Sequence, residues 1–360
     1  MKILEISRSF YPSVGGLEKF VADRLRIYES LGIKYQVLST DFSNEKVDYS
    51  KKLDNVTYLH RYTPYDITLG LKTYLASDYD VLSVNQIGRY FSDFAIFFAF
   101  KKKKKIVLTP HFHFHTHKYA FVKKMHTKYI LKKLLTMIDK MICFTEYEKK
   151  YWTLTYGVDS KKIVVIPHYL EMNNNQTAEY LTNFGKYILY LGRYEKNKKI
   201  DLLIEAFASL KVDDWKLVLT IELSNLSSMS KKLVEEDSRI ILLGNIGETY
   251  KNDLLKNCEA LILPSNYEAF GTVLLEASQW YKPILASNLR IFREVLDTKF
   301  PIFFENNLVS LRERLKYFFT LSVSERAKLG EGNFMNLKRF SFNEVKRLYG
   351  DLFESILNDY

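Results

Sequence analysis

Asn266-Tyr267-Glu268-Ala269-Phe270-Gly271-Thr272-Val273-Leu274-Leu275-Glu276-Ala277 is the stretch on which the reading of this chain turns. It follows an apolar, strand-like run from Ala260 to Leu263 that Pro264 closes, and from about Gly271 its pattern becomes helical. Glu268 and Glu276 stand eight residues apart around the Phe270-Gly271 turn, a little over two helical turns. One carboxylate then sits at the helix mouth and the other on the same side, deeper. Between them, the first N–H groups of the helix lack intrahelical acceptors and favour an anion such as phosphate. Carboxylates that accept from hydroxyls, flanking a phosphate-friendly helix start, suit a nucleotide diphosphate sugar.

The strand–loop–helix order recurs in both directions, which argues for parallel sheets covered by helices. Strands are expected at Ile3–Ser7, Tyr35–Ser39, Tyr58–Arg61, Asp80–Asn85, Lys105–Thr109, Met141–Phe144 and Ile163–Ile166. A second series runs through Tyr187–Leu191, Lys216–Ile221, Ile240–Leu243, Ala260–Leu263, Pro283–Ala286 and Phe300–Phe304. Leu17, Phe20, Val21, Leu25, Tyr28 and Leu31 form a helical stripe after the first strand, with Gly32 as its stop. A polar stretch without periodicity begins at Glu171-Met172-Asn173 and reads as a linker. The expectation is an α/β chain with Rossmann-like domains at 1–170 and 184–340, a linker at 171–183 and a C-terminal helix at 341–360. Ligands of such folds lie at the carboxyl ends of the strands.

Length alone favours two domains, and 47% hydrophobic with 26% charged residues is an ordinary globular composition. Met1-Lys2 runs directly into a strand, so no signal peptide is read, and no apolar run reaches the roughly 20 residues that span a bilayer. The longest, Phe94 to Phe100, reads as a buried or interfacial helix. Cys143 and Cys258 sit in apolar contexts, as buried thiols in a reducing, cytoplasmic compartment would. The charge of +11 is lopsided: residues 1–168 carry +12 and the rest −1. Eleven lysines and no acid lie between Lys101 and Lys133, interleaved with Phe112, Phe114, Tyr119, Phe121 and Tyr129. A solvated face explains such a run, and so does peripheral docking on the anionic inner face of the cell membrane. No nucleic-acid module accompanies it, so nucleic acid is not expected as a partner.

The Glu268–Glu276 spacing, with Pro264-Ser265 ahead and Lys282-Pro283-Ile284 behind, resembles the E-x7-E signature of retaining GT-B glycosyltransferases, family 4 in particular. Pro12-Ser13-Val14-Gly15-Gly16-Leu17-Glu18 looks like that family's P-x-x-G-G-x-E loop, where adjacent glycines permit close backbone approach and positive φ. Gly192-Arg193 through Lys198-Lys199-Ile200 is similar to its stretch of G-R, about five residues, then K-G and a hydrophobic residue, and Gly244-Asn245-Ile246-Gly247 fits its base-bracketing loop. The resemblance spans nearly the whole chain. It implies two facing Rossmann-like domains with an interdomain cleft and a last helix that crosses back to the first.

It also implies roles. Arg193 and Lys198 stabilise the leaving diphosphate without a metal, and no cofactor is needed. Glu268, with the backbone of Phe270 and Gly271, holds the sugar, while Thr272 and Val273 extend the donor site. Glu276 accepts from the ribose, Gly244 and Asn245 bracket the base, and Gly15 and Gly16 line the donor phosphates. His111 lies near the reacting sugar. The acceptor is expected to be a glycan or a lipid-linked group. Three departures stand out: Lys199 replaces the usual Gly, which leaves Lys196 and Lys199 as competitors of Lys198. Pro167-His168-Tyr169 replaces Pro-Asn-Gly, and Leu289-Arg290 replaces a Gly pair ahead of Glu294.

Four alternating histidines, His111, His113, His115 and His117, invite a zinc reading, but equal spacing along one strand splays ligands rather than surrounding an ion. Asp78-Tyr79-Asp80 mimics a D-x-D metal motif, yet Asp80 only begins a strand. Among rivals, a phosphorylase of similar fold needs a lysine-bound pyridoxal phosphate, for which there is no signal. A nucleotide-sugar epimerase needs hydrolysis without an acceptor. A catalytically silent, membrane-associated scaffold is the rival of another class, and the joint presence of Arg193, Lys198, Glu268 and Glu276 speaks against it.

Overall fold

Strands buried along both faces are what a helix-covered parallel sheet requires, and Val81–Asn85 is buried at every position. The computed structural model describes residues 1–13, 15–42, 54–62, 66–111, 127–171 and 184–358. These form two compact units, Met1–Tyr169 with Phe342–Tyr360, and Leu170–Ser341.

The first unit holds a seven-stranded sheet of β1 (Lys2–Ser7), β2 (Lys34–Thr40), β3 (Val56–Leu59), β4 (Val81–Asn85), β5 (Lys105–Thr109), β6 (Lys140–Cys143) and β7 (Ile163–Val165). All pairs are parallel, in the order β3-β2-β1-β4-β5-β6-β7. The order reverses between β1 and β4, the switch point at which doubly wound sheets open a crevice. The helix Gly16–Ser30 buries Phe20, Val21, Leu25 and Tyr28 as its stripe requires, each apolar side chain contributing about 1.5–3 kcal/mol. The same face buries Arg24, which periodicity did not anticipate. The helix Phe342–Asn358 belongs to this unit, and its Phe353 ring meets Tyr28 at 5.6 Å.

The second unit holds β8 (Lys186–Tyr190), β9 (Trp215–Leu219), β10 (Ile240–Leu242), β11 (Ala260–Leu263), β12 (Ile284–Ser287) and β13 (Ile302–Phe304). They too are parallel, in the order β10-β9-β8-β11-β12-β13, with the switch between β8 and β11. Leu170 N–H donates to Phe340 O at 2.8 Å, which ties the start of this unit to its end.

Most strand expectations hold within a residue or two. Tyr58–Arg61 is corrected to Val56–Leu59, because β2 ends opposite Leu59 and Arg61 instead bridges Thr68 in a local turn. Phe300–Phe304 shrinks to Ile302–Phe304, where Asp297 O takes the Phe300 N–H into a turn. The run Phe94 to Phe100 lies in the helix Tyr90–Lys101, with Ala95, Ile96 and Ala99 buried and Phe97 and Phe100 exposed. Asp78 and Asp80 are structural: both engage Lys2, Asp80 through the Lys2 backbone N–H at 2.7 Å. Cys143 and Cys258 are buried thiols, that of Cys258 pushed up to about 12 chiefly by burial. The linker residues 172–183, Val14, Phe112, His113, Phe114, His115, His117, Lys118, Tyr119, Phe121, Lys123 and Lys124 lie outside the described residues.

Candidate active site

In the second unit, the loops that leave the sheet's carboxyl edge carry nearly every residue expected to hold the donor. Lys198 follows β8 in a one-turn helix, Lys196–Lys198, and its ammonium pairs with Glu268, which follows β11. Both side chains are mostly enclosed, at 19% and 13% exposure. Ser265 Oγ donates to the same Glu268 Oε1 at 2.7 Å. The two loops are stitched by their backbones as well, Asn266 N–H donating to Asn197 O at 2.6 Å. Of the three competing lysines, Lys198 is the one paired with Glu268, whereas Lys196 is exposed. Lys199 adopts φ 53° and ψ 36°, left-handed backbone that favours glycine, which explains why glycine is usual there.

Glycine is obligatory at Gly271. Its φ is 84°, and a Cβ there would come within 2.8 Å of Phe292 Cε1. This turn starts the helix Thr272–Gln279, so the Thr272 and Val273 N–H groups lie in the first turn, at its positive end. Glu276 lies inside the helix, and Lys251 Nζ reaches its Oε1 at 3.1 Å from the helix Glu248–Asn257. Each of the two glutamates therefore meets a lysine, Lys251 being shared with Glu248 at 2.7 Å.

Gly244 and Asn245 follow β10. Gly244 has φ 66°, and its N–H donates to Ile221 O at 3.1 Å. Arg193 is exposed, and no carboxylate partner for its side chain exists among the described residues. Tyr190 beneath it donates to Arg193 O at 3.2 Å, and burial, then Glu268 and Glu195, keep that phenol protonated by raising its pKa. Leu289 caps and Arg290 begins the short helix Arg290–Val295, so the replacement of the Gly pair leaves an ordinary helix start.

In the first unit, His111 follows β5 with φ 46° and is buried. Its Nε2 lies 3.0 Å from Asn85 Oδ1. Asn85 Nδ2 donates to Glu5 and, at 2.9 Å, to Ile6 O, which fixes the amide orientation. Oδ1 therefore accepts, from Arg24 Nη2 at 2.6 Å and from His111, and the network assigns the proton to His111 Nε2. Arg24 also pairs with Glu5, and both are buried. Phe20 and Phe144 wall the His111 ring at 4.8 and 5.4 Å.

The glycine loop differs from expectation. Neither glycine has positive φ: Gly15 is extended at φ 178° and Gly16 opens the helix. The demand at Gly15 is close approach, since a Cβ would meet Glu18 Oε2 at 2.6 Å. Glu18 is buried and accepts from Ser9 Oγ at 2.5 Å. His168, partly exposed, packs tilted against Phe144 at 4.3 Å and 57°, and is lowered to about 3 by burial and then by Lys19 and Arg24.

Sequence reasoning missed Lys251, Asn306, and the Glu5–Arg24–Asn85 cluster. Asn306 donates to Ser265 O at 2.8 Å and accepts from Ser287 Oγ at 2.9 Å, so it braces the Glu268 loop from β13. A charged residue on each of two apolar faces, Glu5 in β1 and Arg24 in its helix, was a readable signal of the cluster. Asn306 offered none.

Two family models divide the chain: residues 14–171 match Glycosyltransferase Family 4, and residues 175–333 match Glycosyl transferases group 1. The chain belongs to the GT-B glycosyltransferases of the family 4 type, and its reaction is glycosyl transfer from a nucleotide sugar. An uncharacterized glycosyltransferase of Methanocaldococcus jannaschii, MJ1178, is 26% identical over 98% of this chain and 99% of its own. The N-acetylgalactosamine-N,N'-diacetylbacillosaminyl-diphospho-undecaprenol 4-alpha-N-acetylgalactosaminyltransferase of Campylobacter jejuni is 32% identical over 34% of each chain. Anabaena Alr3699/HepE, solved with UDP and glucose, shares the fold at a TM-score of 0.78 and 14% identity, covering 99% of this chain and 100% of that one.

Proposed function

We propose that this enzyme moves a sugar from a nucleotide diphosphate sugar to a glycan or lipid-linked acceptor, with retention and without a metal ion. The observation that carries the proposal is the Lys198–Glu268 pair beside the first turn of the helix Thr272–Gln279. As the bond to the sugar breaks, charge builds on the departing diphosphate. Lys198 has three donors, of which Glu268 takes one, and the exposed Arg193 fork adds a second cation. The N–H groups of Gly271, Thr272 and Val273 complete a positive surround that needs no reorganisation. Glu276 accepts from the ribose, and the Gly244-Asn245 backbone recognises the base.

The relative from Campylobacter jejuni is named for a diphospho-undecaprenol acceptor, which supports a lipid-linked one here. No described helix is long and apolar enough to cross a membrane. Lys101, Lys102, Lys103, Lys132 and Lys133 are exposed, as are Phe97, Phe100, Tyr129 and Ile130, which supports docking on an anionic surface. Lys104 and Lys105 are instead held internally, Lys104 by Tyr79 O and Lys105 by Asp139 at 3.6 Å. The deciding experiment is hydrolysis and thermal shift with UDP-, GDP-, ADP- and dTDP-sugars, with and without EDTA. Stabilisation by one donor with EDTA-insensitive hydrolysis is expected. No response to any donor, or activity abolished by EDTA, refutes the proposal.

A further inference from the structure

The carboxyl edge of the first sheet carries a second charged cluster that the roles above leave unused. Arg8 follows β1, Arg61 follows β3 and Arg89 follows β4, and all three converge on Asp66. Arg8 Nε lies 2.9 Å from Asp66 Oδ2, Arg61 Nη1 3.4 Å from Oδ1, and Arg89 Nε 3.5 Å from Oδ2. The Asp66 side chain is 0% exposed, whereas those of the arginines are 19%, 27% and 38% exposed. Among the described residues the three guanidinium groups share the Asp66 carboxylate, which leaves the cluster with an excess of positive charge. Asp41, after β2, is turned to His60 Nδ1 at 2.5 Å and the Arg61 N–H at 2.9 Å.

The local backbone is shaped to hold the cluster. Tyr62 N–H donates to Ile67 O at 3.0 Å and Arg61 bridges Thr68, a turn that returns Asp66, at φ 62°, to the arginines. Phe42 lies under two of the forks, 3.5 Å from Arg8 Cζ and 4.7 Å from Arg61 Cζ. Thr68 is buried, and its hydroxyl has no hydrogen-bond partner among the described residues. Burial, opposed by Asp66 and reinforced by Arg89 and Arg61, lowers the Arg8 guanidinium to about 10, so an arriving anion relieves a real penalty. Tyr62, Ile67 and Leu69 on the same turn, and Tyr90 beside Arg89, are exposed.

We infer that Arg8, Arg61 and Arg89 form a binding site for a phosphoryl group of the acceptor, with the exposed apolar side chains beside it receiving the chain that the phosphate carries. Planar forks held by one carboxylate match phosphate oxygens in pairs, which a lysine cluster does not. Assignment to the acceptor rests on the glycosyl-transfer reading. The anion site itself does not.

The test uses the full chain and measures binding of farnesyl diphosphate and inorganic pyrophosphate by calorimetry. Wild type is compared with Arg61→Gln, Arg89→Gln and Arg314→Gln, each confirmed folded by its melting curve. Arg8 is left intact because its packing on Phe42 makes it the variant most prone to unfold. Arg61→Gln and Arg89→Gln are each expected to weaken farnesyl diphosphate roughly tenfold or more, while Arg314→Gln, an exposed position outside both sites, leaves it unchanged. Farnesyl diphosphate binding tenfold tighter than pyrophosphate assigns a lipid-borne phosphate, and equal binding a soluble one. Undiminished binding in both Arg61→Gln and Arg89→Gln, an equal loss in Arg314→Gln, or equal competition by glucuronate overturns the site. Donor hydrolysis measured on the same samples separates the two claims: anion binding that maps to Arg61 and Arg89 without donor turnover removes the acceptor link alone.

Discussion

Replacing Lys198 with methionine separates what the Lys198–Glu268 pair does for stability from what it does for the reaction. The substitution keeps the stem and removes the charge, and Glu268, 13% exposed, keeps Ser265 Oγ as its remaining donor at 2.7 Å. A carboxylate that loses its buried partner costs about 3–5 kcal/mol. Residual water access at both side chains and the Ser265 bond reduce this to about 1–3 kcal/mol. The chemical step should suffer separately, by about 10²–10³-fold in kcat, or roughly 2.7–4 kcal/mol, as for the loss of one preorganised donor. Donor affinity should fall much less, because the charge that Lys198 meets develops mainly in the transition state. The measurements are urea unfolding, with kcat and KM for the donor identified by the panel. Lys198→Met with Glu268→Gln should recover most of the stability, since no charge is then left unpaired, but none of the rate. If kcat and donor affinity fall equally in Lys198→Met, or if the double variant regains rate with stability, Lys198 is a structural lysine and the proposed role is wrong.

His168, lowered to about 3, remains neutral in the fold while the unfolded chain takes up a proton below about pH 6.5. Its contribution is thus present above pH 6.5 and is lost as pH falls towards 3. Allowing for its partial exposure, about 1–2 kcal/mol should disappear between pH 6.5 and 4.5. His168→Asn should flatten that slope in urea unfolding, and an unchanged slope rules out this origin. Lys199→Gly should stabilise the second unit by about 0.5–1 kcal/mol, since φ 53° disfavours a side chain. A lower melting temperature contradicts it. Binding to phosphatidylglycerol vesicles should decline steeply with salt. Neutralising Lys101, Lys102 and Lys103 together should weaken it by about 3 kcal/mol, one for each lysine. Salt-insensitive binding, or none, refutes docking through this face.

The fold was legible because its signals are local. Ala260–Leu263, Pro264 and the helix after Gly271 are specified within twenty residues, and the structure places them as read. Strand ends were less legible, because pairing in a parallel sheet is settled by neighbours distant in sequence. Arg61 has a strand's surroundings in sequence, but β2 stops before it and Asp41 takes its N–H. The glycine loop was located with two possible demands, and only one applies: Gly15 closely approaches the returning Glu18 carboxylate, and neither glycine has a positive φ. Conversely, Lys199 has the positive φ that its residue type conceals. Lys251 was unreadable for another reason. Within its own helix it reads as an ordinary i,i+3 partner of Glu248, 2.7 Å away, and Glu276 arrives from a different helix.

The Glu5–Arg24 pair shows how far placement of the site depends on such non-local contacts. A fully buried pair contributes little net stability relative to apolar residues of equal volume, so stability alone does not account for its presence. Its geometric consequence is specific. Glu5 takes one amide hydrogen of Asn85 and Arg24 takes the amide oxygen, which leaves Asn85 only one orientation. In that orientation Oδ1 accepts from His111 Nε2, and the ring is set between Phe20 and Phe144. Arg24 also donates to Thr109 Oγ1 at 2.9 Å, at the end of the strand from which His111 departs. The imidazole is thus oriented from both its ring nitrogen and its backbone by two charges that sequence spacing alone would place in an apolar core. Joint apolar substitution of Glu5 and Arg24 would leave no buried charge unpaired and would release the histidine.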